Sequence, residues 1–198
     1  MRLISNVEEI FVKSGAILKG HFQLTSGLHS PVYWEKFCIL QSPDMTSKLC
    51  HMISTHFASQ EIQVVVGPTT GGIILAYEVA RQLETRGIFA EKKKGEARTF
   101  RRGFGIGLGE RVLIVDDILT TGKSITEVMN LIAKEGGKVI GIGVLVDRSE
   151  QEQDFGVPLF SCLRSATPAY TPSNCPLCVA GIPLVKPKKV IHNVTKHH

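Results

Sequence analysis

RVLIVDDILTTGKSITE, residues Arg111 to Glu127, decides the fold. Val112, Leu113, Ile114 and Val115 form an uninterrupted, largely β-branched apolar run, the pattern of a parallel strand buried on both faces. Asp116 and Asp117 follow, then the small residues Thr120, Thr121 and Gly122, then Lys123 and Ser124 at the mouth of a helix. In an open α/β sheet, ligands bind just beyond the carboxyl ends of strands. Backbone N–H groups of a Thr/Gly loop at a helix N-terminus converge on an anion, and the helix dipole favours it. Two adjacent acids suit the hydroxyls of a ribose and attract a hydrated Mg²⁺. Phosphate, diol and metal together indicate a phosphorylated sugar. Gly122-Lys123-Ser124 mimics the end of a P-loop, but that motif needs glycine at position 117, where Asp117 stands.

A second anion turn lies upstream. An expected strand over 63–66 runs into Gly67-Pro68-Thr69-Thr70-Gly71-Gly72 and a helix over 73–85, again a strand, a Gly/Thr turn and a helix N-terminus. Other expected elements are an amphipathic helix over 5–15 with Ser5 and Glu8 as a capping box, a helix over 43–59, strands over 88–91, 138–146 and 157–163, and a helix over 124–135. The alternation of strands and helices implies an α/β doubly wound, mainly parallel sheet flanked by helices.

VLIVDDILTTGKS resembles the phosphoribosyl pyrophosphate (PRPP) signature of the type I phosphoribosyltransferases. GHFQLTSGLHSPVYW, from Gly20, is similar to the hood of orotate phosphoribosyltransferases. The resemblance implies one phosphoribosyltransferase domain over 1–198, with a small N-terminal hood at about 16–40, a core at about 41–165 and a tail at about 166–198. It implies that Asp116 and Asp117 hold the ribose, and that Leu119, Thr120, Thr121, Gly122, Lys123 and Ser124 hold the 5-phosphate. Thr69, Thr70, Gly71 and Gly72 would hold the pyrophosphate. Ser26, Gly27, Tyr33 and Trp34 would line the base pocket, although the aromatics also suit a plain hairpin core. Arg148, at the end of the 138–146 strand, would grip orotate; its alternative is a surface pair with Asp147. The basic loop from Lys92 to Gly103 would close over the site, often into the neighbouring subunit, bringing Lys92, Lys93, Arg101 and Arg102 to the pyrophosphate. The activity implied is Mg²⁺-dependent transfer of ribose 5-phosphate from PRPP to orotate, by a homodimer in pyrimidine synthesis, with the metal held mainly by PRPP and water.

The chain departs from the commoner pattern in three places. Thr25 stands where many orotate phosphoribosyltransferases carry lysine, with Lys19 or Lys36 as substitutes, and Gly71 stands where some carry lysine. The basic loop also lacks an Asp-His pair.

At 198 residues the chain is long enough to bury roughly 70% of its unfolded surface without staples. Five scattered cysteines, an odd number, fit reduced thiols and a cytoplasmic setting. There is no long apolar span and no signal-peptide core. A net charge of +5 suits an anionic substrate and also weak nucleic-acid attraction. Cys175-Pro176-Leu177-Cys178 is half of a zinc knuckle, with Cys162 or His192 as the remaining candidate ligands. The Asn193-Val194-Thr195 sequon carries no weight in a cytoplasmic chain. Two rival readings stand beside the first: the same fold serving another nucleobase, and a PRPP-binding regulator of nucleic acid. The hood begins within about twenty residues of the start, leaving no room ahead of it for a DNA-binding domain.

Overall fold

The computed structural model describes residues 2–24, 26–93 and 95–186, with side chains from Val7 onward. Thr25, Lys94, His192 and the sequon lie outside the described residues, as does the Ser5 side chain.

Five parallel strands form the main sheet in the order β4-β3-β5-β6-β7: β3 (Val64–Pro68), β4 (Arg86–Ala90), β5 (Arg111–Leu119), β6 (Lys138–Asp147) and β7 (Leu159–Arg164). The period of two within β3 and β5 sorts the side chains onto two faces. Val65, Leu113 and Val115 face one core, together with Val7 and Phe11 of α1 (Arg2–Lys13), Leu49 and Ile53 of α3 (Pro43–Phe57), and Leu75 and Val79 of α4 (Gly71–Gln82). Val64, Val66, Val112 and Ile114 face the other, against Ile125, Val128 and Ile132 of α5 (Lys123–Lys134). Both faces are covered, so every strand residue from Val112 to Val115 is fully buried. That is why the run reads as continuous rather than alternating. The expected doubly wound sheet is observed. Shortly before α3 lies the single-turn α2 (Phe37–Leu40).

Several element ends shift from the expected ranges, and two of the shifts change a reading. Helix α1 begins at Arg2, so Ser5 is inside the helix and not its cap. β5 runs on to Leu119, because its ladder with β6 continues to Leu119 opposite Asp147. The two acids therefore lie within the strand's final turn of pleat rather than past its end.

The hood is a separate antiparallel hairpin, β1 (Ile17–Gln23) with β2 (His29–Trp34). The tail straps both of its strands. Tyr170 and His29 exchange both backbone hydrogen bonds at 2.8 Å, and Val185 lies beside β1, donating to the His21 carbonyl at 2.8 Å. Within the tail sits the single-turn α6 (Pro176–Val179). Cys162 points elsewhere: its thiol is in the core of β7, donating to the Leu49 carbonyl at 3.4 Å, which removes it as a partner of Cys175 and Cys178. Among the described residues, no helix is long and apolar enough to cross a membrane.

Candidate active site

From β3 the chain crosses to β4 on one side and then to β5 on the other, so the strand order reverses between β3 and β5. Such a switch point opens a crevice at the carboxyl ends of the two strands. Both anion turns read from the sequence flank it: residues 67–72 after β3, and residues 120–124 after β5.

Consecutive strand residues point to opposite faces, and the acid pair divides accordingly. Asp116 opens into a small hollow walled by Leu119, Thr120, Thr121, Gly122, Lys123 and Ser124. Asp117 faces the hood side, in a narrow cavity with Trp34, Lys36 and Ile118. Short backbone contacts hold both carboxylates. Asp117 N–H donates to Asp116 Oδ1 at 2.8 Å, and Ile118 N–H donates to Asp117 Oδ1 at 2.7 Å. Burial, and then the neighbouring Asp117 charge, push the Asp116 carboxyl well above the usual carboxylate range, to about 7. Lys36 and Arg98 pull in the opposite direction but do not win.

That shift predicts a stability difference. A carboxyl raised in the fold binds its proton more tightly there than in the unfolded chain. Its ionisation therefore costs stability as pH rises from about 4 through 7, and the full penalty is present above. Asp116→Asn keeps an acceptor for the Asp117 N–H and removes the ionisation. The ligand-free variant should be more stable than the parent by about 1–3 kcal/mol at pH 8, with the gain vanishing near pH 4. Thermal unfolding at both pH values checks this, and equal midpoints at pH 8 would exclude a strained Asp116.

The 120–124 hollow needs glycine at its corner. Gly122 has φ +72°, and a Cβ there would lie 2.9 Å from the Phe155 ring. From Gly122 the helix α5 starts at once, with Thr126 N–H donating to the Gly122 carbonyl at 2.9 Å. The N–H groups of its first turn lack intrahelical partners, and they face the hollow. In the other turn, the Thr69–Thr70 peptide is cis and Gly71 opens α4. A Cβ on Gly71 would fall 1.8 Å from Asp117 Oδ2, so this corner has no space for a side chain. A lysine from elsewhere meets the same carboxylate. Lys36, just after β2, places Nζ 3.0 Å from Oδ1 and 2.8 Å from Oδ2 of Asp117. The sequence offered Lys36 only as a substitute phosphate contact.

In the hood, Ser26 and Gly27 form the exposed tip of the hairpin, closed by Gly27 N–H to the Leu24 carbonyl at 2.9 Å. Tyr33 is half-buried, its ring 5.9 Å from that of Phe22. Trp34 is 6% exposed and packs edge-on to Phe11 at 5.3 Å, so it belongs to the core while also walling the Asp117 cavity.

Arg148 is tied to the end of β5 by its N–H, which donates to the Leu119 carbonyl at 2.8 Å. The surface-pair alternative fails. Asp147 is 3% exposed and takes the N–H and hydroxyl of Ser149, with Arg164 at 3.8 Å. Arg148 Nε is buried with no hydrogen-bond partner among the described residues, and burial lowers the guanidinium's pKa.

The basic loop between β4 and β5 folds onto its own chain. Lys92 pairs with Glu127, Arg101 with Glu96 at 2.9 Å, and Arg102 with Glu91 at 2.6 Å. Lys93 is exposed. Among the described residues, these cations make no hydrogen bond to Asp116, Asp117 or either anion turn. Arg98, which the sequence did not single out, is better placed. It is 6% exposed at the side chain, donates to the Ala90 carbonyl at 3.0 Å, and its charge reaches Asp116.

Comparison with known proteins agrees with this geometry. The phosphoribosyl transferase domain family matches residues 38–157. An orotate phosphoribosyltransferase of Pelotomaculum thermopropionicum is 52% identical over 90% of this chain and 93% of the relative. One from Desulforamulus reducens is 46% identical, with the same two shares of coverage. Among solved structures, orotate phosphoribosyltransferase from Aeropyrum pernix superposes with a TM-score of 0.68 at 27% identity, covering 80% of this chain and 93% of that one. Adenine phosphoribosyltransferase from Rhodothermus marinus, with a TM-score of 0.62 at 22% identity over 83% and 99% of the two chains, shares the fold. With its parallel sheet, paired switch-point turns and hood, the chain belongs to the orotate phosphoribosyltransferases.

Proposed function

We propose that this chain transfers the ribose 5-phosphate of PRPP to orotate, giving orotidine 5′-monophosphate and pyrophosphate in pyrimidine synthesis. The observation that carries the reading is the meeting of two anion turns and an acid pair at one switch point, with Arg148 tied by its backbone N–H to the end of the same strand and its guanidinium Nε without a partner among the described residues. The bond from ribose C1 to the pyrophosphate oxygen breaks as the bond to the orotate ring nitrogen forms. The ribose passes through an oxocarbenium-like state, and no covalent nucleophile is required. The protein's contribution is positioning and charge stabilisation. The first turn of α5, with Thr120, Thr121 and Ser124, anchors the 5-phosphate. Asp116 and Asp117 accept from the ribose hydroxyls. The 67–72 turn holds the pyrophosphate through backbone N–H groups, since Gly71 leaves no room for a side chain.

Mg²⁺ fits as a group held by pyrophosphate oxygens and water. Asp117 is already engaged by Lys36, and Asp116 gains its charge only near neutral pH, so the chain offers no open carboxylate cage. When bound, the ion neutralises charge on the departing pyrophosphate. Lys92, Arg101 and Arg102 are proposed to leave their own-chain acids and, with the exposed Lys93, to meet that charge as the loop closes. Exposed ion pairs of this kind are worth only about 0–1 kcal/mol each, so they hold the loop weakly. A homodimer sharing the loop is supported by the exposed apolar side chains of Phe37, Ile74 and Tyr77 on α2 and α4. Phosphorylated substrates make the cytoplasm the proposed compartment.

The test is the ultraviolet change as orotate is consumed with PRPP and Mg²⁺, run beside a panel of other bases. Turnover with another base alone would transfer the reading to that base, and PRPP binding without turnover would favour a regulator. In the same assay Arg148→Ala should raise the KM for orotate about 10- to 100-fold, the worth of a charge-assisted hydrogen bond, with the KM for PRPP little changed. Equal losses for both substrates would remove Arg148 from the base pocket.

A further inference from the structure

Away from the switch point, four metal-binding side chains meet between the hood and the tail. They are His21 on β1, His29 on β2, and Cys175 and Cys178 at the start and within the turn of α6. One ligand atom from each lies within 4.8 Å of all the others. His21 Nε2 is 3.0 Å from His29 Nδ1, 3.5 Å from Cys175 Sγ and 3.7 Å from Cys178 Sγ, while Cys178 Sγ is 3.3 Å from His29 Nδ1. A tetrahedral zinc with bonds of about 2.3 Å to sulfur and 2.0–2.1 Å to nitrogen has edges of about 3.3 Å between nitrogens and 3.5 Å between nitrogen and sulfur. The four separations above lie within about 0.3 Å of those edges, and the remaining pairs are within 4.8 Å.

Hydrogen bonding alone does not account for the cluster. His21 Nδ1 lies 2.7 Å from the Ile182 carbonyl, an acceptor only, so Nδ1 carries the proton and Nε2 of the neutral ring holds a single lone pair. The thiols of Cys175 and Cys178 can donate to His21 Nε2 and His29 Nδ1, but the two ring nitrogens then face each other lone pair to lone pair at 3.0 Å. If His29 Nδ1 carries the proton instead, it and both thiols are three donors around the one lone pair of His21 Nε2. A cation at the centre engages all four ligands, and the carbonyl bound to His21 Nδ1–H is the outer partner that metal-bound histidines regularly have. Two sulfurs and two imidazoles in a closed tetrahedron suit zinc, and no ligand position is left open for chemistry.

We propose that His21, His29, Cys175 and Cys178 bind one structural zinc ion that fastens the tail to the hood. An isolated two-stranded hairpin is marginal in water, and this one carries Ser26, Gly27 and Tyr33. The tail reaches it through two short backbone pairings, at Tyr170 and Val185, on either side of the cluster. The zinc lies between those pairings and joins all three segments.

Metal analysis of the full chain, purified without chelators or added metal, tests this directly. One zinc per chain is expected, falling to background in Cys175→Ser/Cys178→Ser and unchanged in Cys38→Ser. Replacing zinc by Co²⁺ in the parent protein gives a readout independent of any variant's folding, since tetrahedral thiolate ligation produces intense visible bands. Removing the metal should also make the 165–186 segment the first site of proteolysis. A parent chain without stoichiometric zinc and without the tetrahedral cobalt spectrum would overturn the proposal. So would zinc retained by the double serine variant. None of these readouts depends on which base the enzyme uses.

Discussion

Asp117→Asn is expected to lower kcat/KM for PRPP by 100-fold or more, about 3 kcal/mol of transition-state stabilisation. Two losses combine. The ribose loses an ionised acceptor, and Lys36, with Nζ 2.8 Å from Oδ2, loses its counter-charge. An ammonium left beside a developing oxocarbenium opposes the reaction. The fold should tolerate the change, because the amide can still accept the Ile118 N–H. Kinetics at varied PRPP, with a thermal melt as control, measure both. A Lys36→Met partner variant separates the two losses: if the stranded ammonium matters, the double variant will be less impaired than the sum of the singles. PRPP kinetics unchanged in Asp117→Asn would remove the acid pair from the site.

Gly71→Ala should be nearly as damaging by a different route. The new methyl would sit 1.8 Å from Asp117 Oδ2 and 3.2 Å from the Leu40 side chain. Asp117 is 4% exposed, takes two hydrogen bonds on Oδ1 and has Lys36 Nζ 2.8 Å from Oδ2, so it cannot swing away freely. Overpacking of this kind costs about 1–3 kcal/mol or more, a fall of roughly 5–10 °C in the unfolding midpoint of a chain this size. PRPP use should collapse with it, since the same methyl displaces the acid and crowds the pyrophosphate turn. Shortening the neighbour gives the counter-test. Asp117→Ala placed behind Gly71→Ala should recover most of the lost stability and none of the activity. A Gly71→Ala protein with the parent's midpoint would show that the turn opens easily.

What could be read beforehand follows from how local each feature is. The strand Val112–Val115 announces itself because both faces are covered, and burial on both sides writes an unbroken apolar run. The two Gly/Thr turns are legible because each is one strand end, one corner and one helix start. Lys36 on Asp117 is not legible, since 81 residues separate them and only the packing of the hood on the sheet joins them. The same is true of His21 and His29 beside a Cys-x-x-Cys pair about 150 residues later. The spacing of Cys175 and Cys178 was a usable half-signal, and the two histidines of β1 and β2 were its missing half. The extent of β5 was misjudged because a ladder's end is set by the neighbouring strand, not by the residues themselves. Trp34 is legible as a hairpin core aromatic, but its place beside Asp117 is set by the packing of the hood on the sheet.

The strap of the tail across the hood also has a consequence for synthesis on the ribosome. The hairpin leaves the exit tunnel about 140 to 160 residues ahead of its partners at Tyr170 and Val185. Among the described residues no nearer segment offers β1 and β2 those backbone pairings, so the hood is made early and completed late. The parallel sheet can assemble as its strands emerge, while the hood waits on a contact spanning about 160 residues, a closure of the slow kind. A nascent chain stalled before Tyr170 would carry a formed phosphate crevice beneath an unfastened hood.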